Sequence, residues 1–149
     1  MDSSGVHLWL VLGKAYASLR EHAERHIHSL GLGLSDFAVL ETLLHKGPTP
    51  INAIGAFVGL TSGSITTAVD RLERKALVER CNHPQDRRSR VVHLTDAGRK
   101  LISCAFADHA AAMERAASGL TAAERRQAVA LLKRLGREAE AMVTGNQPE

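Results

Sequence analysis

Residues 59–75 read GLTSGSITTAVDRLERK, and this stretch decides the fold. Gly59 is a natural end for one short helix, and Thr61 is a natural cap for the next. Pro50 suits the first turn of the preceding helix, whose inner face is Ile51, Ile54 and Val58. A short helix, a turn containing glycine and a second helix make the helix-turn-helix spacing. The second helix runs to about Lys75 and has a buried stripe at Ile65, Ala68, Val69 and Leu72. Its outward face is Ser62, Gly63, Ser64, Thr66, Thr67, Asp70 and Arg71. Such a helix enters the major groove of duplex DNA, with its N-terminal residues at the base edges. Small hydroxyl side chains allow close approach, and the N-terminal amides favour a phosphate. Taken alone, the same residues also fit a merely solvated surface helix.

The chain downstream weighs against that plainer reading. LVERC and SRVVHL are β-leaning and flank residues 82–90, NHPQDRRSR. They predict a hairpin with a long basic loop. Residues 71–90 hold seven basic side chains (Arg71, Arg74, Lys75, Arg80, Arg87, Arg88, Arg90) against three acids (Glu73, Glu79, Asp86). That segment carries +4, so the rest carries −1 of the total +3. A positive field this local points to a polyanionic partner.

Further out, apolar residues recur at helical spacing over about 6–30: Leu8, Leu12, Ala15, Leu19, Ala23, Ile27 and Leu30. GLGLS breaks that helix, and Ser35 is placed to cap the next, with Asp36 in its first turn. Phe37, Leu40, Leu43 and Leu44 form its buried side, and KGPTP stops it. Thr95 caps a long fifth helix over about 96–117, and Thr121 with Glu124 has capping-box spacing for a sixth. The sixth has an apolar stripe at Ala128, Leu131, Leu132, Leu135, Ala139 and Met142, and TGNQPE is a frayed tail. The fifth carries two apolar rows, Leu101, Cys104, Ala105, Ala112 and Ile102, Phe106, His109, Met113. Two rows exceed what one core needs. The expected fold is mainly α with a small β-hairpin wing, within one chain of residues 1–149. The winged helix-turn-helix lobe spans 35–94, and helices at 6–30 and 96–143 form a dimerisation layer. A two-fold protein is what a palindromic DNA site requires.

The stretch GLTSGSITTAVDRLERKALVERCNHPQDRRSRVVHLTDAGRKL resembles the core of the MarR (multiple antibiotic resistance regulator) family. LSDFAVLETLLHKGP is similar to that family's second helix, so the resemblance covers nearly the whole chain. HLWLVLGKAY and GSITTAVDRLE are similar to the branch that responds to quinones and catechols. The resemblance implies a homodimer that binds double-stranded DNA as a ligand-responsive repressor; the absence of a signal-like start makes the cytoplasm its expected location. It implies a wing in which Asp86 orients Arg88, while Arg87 or Arg90, with Ser89 between, meets the backbone or minor groove. With Thr61, Ser62, Gly63, Ser64, Thr66, Thr67 and Arg71, these are the expected DNA-contacting residues. It also implies a crevice for a phenolic or other aromatic ligand, with candidate walls at Tyr16, Arg20, Phe37, Leu40, Phe106, His109 and Met113. Each of those also fits an ordinary core or rim position. The family usually has glycine where this chain has Ala76, which carries strain of order 1 kcal/mol if the position is left-handed.

Composition excludes several other classes. Hydrophobic residues at 44% rule out a disordered chain. Aromatics at 3% are too few for the stacking platforms of single-strand binders. The start MDSSGVHLWLVLG does not look like a signal peptide, and no apolar run approaches the length of a membrane span. No phosphate loop, nucleophile elbow or His-Glu-Xaa-Xaa-His motif supports catalysis, and no cofactor is implied. Cys81 lies beside Arg80 and His83, whose charges would favour a reactive thiolate, so it is a redox candidate. Cys104 reads as a small buried hydrophobe. His22 and His26 share a face of the first helix, but lack a third ligand, and no metal is expected. Two other readings stay open: a winged-helix module that docks a protein, and a metal sensor using those histidines.

Overall fold

The structure, a computed structural model, describes residues 4–82 and 90–145. In chain order the elements are α1 (Gly5–Ser29), α2 (Leu34–Lys46), β1 (Thr49–Pro50), α3 (Ile51–Val58), α4 (Ser62–Arg74), β2 (Val78–Asn82), β3 (Arg90–Leu94), α5 (Asp96–Ala116) and α6 (Ala122–Thr144). The three strands form an antiparallel sheet in the order β1-β3-β2. Residues 1–113 and 114–149 make two compact units. Fold class therefore follows the expectation: mainly helical with a small wing sheet.

The stripe predicted for the second helix of the motif is the centre of the core. Ile65, Ala68, Val69 and Leu72 are each 0% exposed. Leu40 and Leu43 of α2, Ile54 of α3, Val92 of β3 and Ile102 of α5 complete it. Gly59 takes a left-handed conformation at φ 68° and closes α3. Leu60 N–H then donates to the Gly55 carbonyl, at 3.2 Å. Gly55 has its own reason to lack a side chain: a Cβ there would sit 3.3 Å from Ile65 Cγ1. The two helices of the motif thus meet closely at Gly55.

Three details differ from the sequence reading. The N-cap of α2 is Gly33, not Ser35; the Ser35 hydroxyl accepts from Arg71 Nη2 at 3.2 Å instead. KGPTP does more than stop α2, since Thr49 and Pro50 pair with Val92 and Val91 as the third strand. Proline tolerates that edge position because the missing N–H is not needed there. Cys104 is exposed rather than buried. The buried row of α5 runs Gly98, Ile102, Ala105 and Ala112, which turns Cys104 outward.

The start of α5 is locked onto the turn before the wing. Thr95 Oγ1 donates to the Ala76 carbonyl at 2.7 Å and accepts from Gly98 N–H at 3.0 Å. A Cβ on Gly98 would lie 1.9 Å from the Leu77 carbonyl oxygen, so no side chain fits there. Ala76 is left-handed, with φ 54°, the strained alternative raised by its sequence.

The remaining helical surface is strongly apolar. In α1 only Ile27 is buried, while Val6, Trp9 and Tyr16 are 70%, 72% and 61% exposed. In α6 no residue is buried, and Leu131, Leu132 and Leu135 are 48%, 46% and 38% exposed. The expected capping box of α6 is present: Thr121 Oγ1 accepts from Glu124 N–H, and the Glu124 carboxylate accepts from Thr121 N–H at 2.7 Å.

Candidate nucleic-acid interface

Helix α4 begins at the N-cap Thr61, whose Oγ1 accepts from Ser64 N–H at 3.3 Å and donates to Ser64 Oγ at 2.9 Å. Ser62, Gly63, Ser64, Thr66 and Thr67 are all exposed. The Thr66 hydroxyl donates to the Ser62 carbonyl at 2.9 Å, and that of Thr67 to the Gly63 carbonyl at 3.0 Å. A carbonyl can only accept, so both hydroxyl protons are committed. What these threonines offer outward is methyl groups and oxygen lone pairs. Space is open where a Cβ on Gly63 would stand, so a rigid surface can come close.

The charges further along α4 fix the helix in place. Arg71 Nε donates to both carboxylate oxygens of Asp36, each at 3.0 Å, and Asp36 is 2% exposed. The hydrogen bond from Arg71 and the nearby carboxylate hold the guanidinium charged. From the other side, Arg80 of β2 donates to Asp70 and Glu73. A buried aspartate on α2 and a strand arginine therefore grip α4 on two flanks. Sequence reasoning put Arg71 on the outward face; the structure ties it to Asp36. The signal for this was an acid in the first turn of α2, which helix-dipole reasoning alone had explained.

Next to α4 the strands β2 and β3 form the stem of the wing, with Arg80 opposite Val92 and Asn82 opposite Arg90. Arg90 is exposed at the start of β3. Asp86, Arg87, Arg88 and Ser89 lie outside the described residues. A helix-turn-helix with a capped, hydroxyl-lined helix beside a two-stranded stem is a frame for duplex DNA.

Comparison with known proteins agrees. The MarR family pattern matches residues 32–89. The HTH-type transcriptional regulator MhqR of Bacillus subtilis (strain 168) is 41% identical over 140 residues, covering 94% of this chain and 97% of MhqR. The chain belongs to the MarR family. It is a helix-turn-helix, DNA-binding transcriptional regulator. YkoM, an HTH-type transcriptional regulator of the same organism, is 37% identical across 88% of this chain and 85% of its own. Among solved structures, a probable transcriptional regulator from Pseudomonas aeruginosa superposes with a TM-score of 0.72 at 26% identity, over 83% of this chain and 95% of its own. A MarR family regulator from Rhodococcus sp. RHA1 superposes with a TM-score of 0.77 at 23% identity, over 90% and 96%, and so shares the fold.

Within this MarR chain the expected ligand walls are only partly brought together. The His109 ring packs edge-on against Phe37, with centroids 4.9 Å apart, and lies 5.4 Å from the His26 ring. Phe106 is half-buried against His45 at 4.7 Å, and Met113 is half-buried. Leu40 is a core residue at 0% exposed. Tyr16 and Arg20 stand out on exposed α1, where Arg20 pairs with Glu24 at 2.7 Å. An open groove of about 510 Å³ lies elsewhere, lined by Leu30, Leu32, Leu101 and Cys104 among others. None of the seven expected residues lines it.

The other sulfur and nitrogen candidates also find their places. Cys81 is exposed on β2. Its expected cationic neighbour is not beside it: adjacent strand residues face opposite ways, and Arg80 is turned to Asp70 and Glu73. His83 lies outside the described residues. His22 and His26 face separate partners: His22 Nε2 meets the Ala112 carbonyl at 3.2 Å, and His26 Nδ1 meets His109 Nδ1 at 3.3 Å. Burial, then His26 and His22, push His109 below its ordinary pKa. Burial also raises the Glu41 carboxyl, partly offset by His45.

Proposed function

We propose that this regulator is a homodimeric repressor that binds a palindromic operator and is released by a small aromatic ligand. The observation that carries the dimer is the exposed apolar surface of α1 and α6, from Val6 and Trp9 to Leu131 and Leu132. A soluble monomer rarely leaves so many large apolar side chains in water. Two copies joined through these helices present two α4 helices to half-sites about one DNA turn apart. Thr61, Ser62, Gly63, Ser64, Thr66 and Thr67 face the groove, while Asp86, Arg87, Arg88, Ser89 and Arg90 carry the wing contacts. Repression is supported by MdtR of Bacillus subtilis (strain 168), an HTH-type transcriptional repressor 31% identical over 74% of this chain and 71% of its own. The aromatic and imidazole rings of Phe37, Phe106 and His109 support a site for a planar ligand. A phenolic or carboxyl oxygen on it would hydrogen-bond the His109 ring. The protein acts where the chromosome is, in the cytoplasm, and as a regulator rather than an enzyme.

The test is a mobility shift of full-length protein on the promoter of its own gene. Binding falls steeply with salt because phosphate contacts release counterions. Arg88→Ala and Arg90→Ala each weaken it across all sequences; unchanged binding in both would remove the wing assignment. Sedimentation at equilibrium tests the dimer, and a monomer at micromolar concentration would refute it. A ligand found by thermal shift must also release DNA, and stabilisation without release excludes that compound as effector.

A further inference from the structure

The charge arrangement along α4 says which base edges that helix is built to read. This inference rests on the DNA-binding reading and goes one step deeper. Major-groove reading of guanine normally uses an arginine or lysine that donates twice to its two acceptors. In α4 no such group is free near the N-terminus. Ser62, Gly63, Ser64, Thr66 and Thr67 fill the first two turns. The first cation, Arg71, is tied to Asp36, and Arg74 Nε turns back to the Asp70 carbonyl at 3.4 Å. Asp70 itself is held by Arg80.

The donors that remain are short. Thr66 and Thr67 have given their hydroxyl protons to backbone carbonyls one turn back. Their exposed chemistry is therefore a methyl group and an accepting oxygen each. Among base pairs, only A·T presents a matching major-groove edge: the thymine methyl and the adenine amino donor. A G·C pair offers two guanine acceptors, one cytosine amino donor and no methyl, so it can meet a threonine oxygen but not a threonine methyl. Facing two threonines that cannot donate, those acceptors would lose their water and gain nothing.

We propose that Thr66 and Thr67 make α4 a reader of thymine methyl groups, so that the half-site under this helix carries A·T pairs selected by apolar contact. The first two turns of α4 hold no cation for bidentate reading of guanine; Arg71 is tied to Asp36, and Arg74 stands at the far end of the helix. Gly63 serves the same end by letting the helix backbone approach until the methyls touch.

The experiment uses full-length protein and duplexes selected from a random pool. Each thymine of the selected half-site is then replaced by deoxyuridine, which removes the methyl and leaves every hydrogen bond. At one or two positions per half-site the wild type should lose about fourfold in affinity, the worth of one buried methyl. In Thr66→Ser or Thr67→Ser, which keep the hydroxyl and its backbone bond, that loss should vanish at the matching position. Deoxyuridine tolerated everywhere would overturn the inference while leaving DNA binding intact. So would a uridine effect that survives both serine variants, or selected half-sites without thymine under the helix. Failure to bind any duplex at low salt is a different outcome: it would overturn the operator reading, and this inference with it.

Discussion

Helices α4 and α6 carry apolar stripes of the same period and meet opposite fates. Ile65, Val69 and Leu72 of α4 are each 0% exposed, whereas Leu131, Leu132 and Leu135 of α6 stay between 38% and 48% exposed. Helical periodicity states that a face must be covered; it does not state by what. For α4 the cover comes from the same chain: α2, α3, the wing sheet and Ile102 of α5. For α6 the proposed cover is a second copy of the chain. One difference in free energy therefore separates them. Core packing around α4 stabilises at any concentration, while the α6 stripe contributes only by mass action.

That contrast is broken most directly by truncating one leucine from each stripe. Leu72→Ala should cost about 3 kcal/mol of unfolding free energy, from lost transfer plus a cavity, at every protein concentration. Leu132→Ala should cost little in dilute protein and progressively more as concentration rises. Denaturant titrations at low and high concentration read both. A concentration-independent loss of the same size for Leu132→Ala would make α6 part of a monomer core.

The grip on α4 gives the next largest effect and has a built-in asymmetry. Arg71→Ala leaves buried Asp36 with only the longer contact to Lys75 Nζ, at 3.9 Å, and should cost about 3 kcal/mol. Asp36→Ala frees an arginine that already reaches water and should cost about 1 kcal/mol. The double variant Asp36→Leu with Arg71→Leu should recover most of the loss, since a buried pair is often replaced by apolar residues without penalty. Equal losses in the two single variants would mean that the pair is effectively solvated.

Much of this was legible in the sequence, and the failures share a cause. Most patterns that act within a few residues read correctly, namely the Gly59 turn, the Thr61 and Thr121 caps and the four-residue stripe of α4; the Ser35 cap did not, because that hydroxyl is drawn to Arg71. Contacts between distant segments did not. Asp36 was read as a helix-dipole residue, and only the fold shows that it meets Arg71, 35 residues away. Thr49 was read as part of a breaker, and its strand partner Val92 lies beyond α4. Gly98 looked like one letter of a motif; its reason is a carbonyl oxygen of Leu77 that leaves no room for a Cβ. At the site, the hydroxyl face was visible, but not that Thr66 and Thr67 had already committed their protons.

A smaller effect is set by pH at the α1–α2–α5 junction. His109 faces His26 and His22 of α1 and the Phe37 ring of α2. Burial first, and then the two histidines, lower its pKa. The native state thus releases this proton more readily than the unfolded chain. Its neutral form gives full stability above the usual histidine pKa of about 6.5, and stability falls as the pH drops below that value because the unfolded state protonates first. His109→Phe should flatten the slope of unfolding free energy against pH on the acid side. An unchanged slope would locate the titration in other histidines.

The smallest predicted effect lies at Ala76, in the well-packed half of the comparison. Its φ of 54° costs an alanine about 1 kcal/mol. The neighbours hold it there: Ala76 N–H donates to the Glu73 carbonyl at 2.9 Å, Leu77 N–H to Leu72 at 3.0 Å, and Thr95 Oγ1 reaches the Ala76 carbonyl. Ala76→Gly removes the strain but loosens the unfolded chain, which takes back about half of the gain. The net should be about 0.5 kcal/mol of added stability, a rise of roughly 2 °C in Tm for a domain of this size. The same exchange at Ala68, which is 0% exposed within α4, should instead lose about 1 kcal/mol for the helix interior alone. Opposite signs for one substitution at two sites eight residues apart would establish that backbone conformation, not lost side-chain contact, governs position 76. A loss at both would mean that the Thr95 tie, rather than φ, sets the energy of that turn.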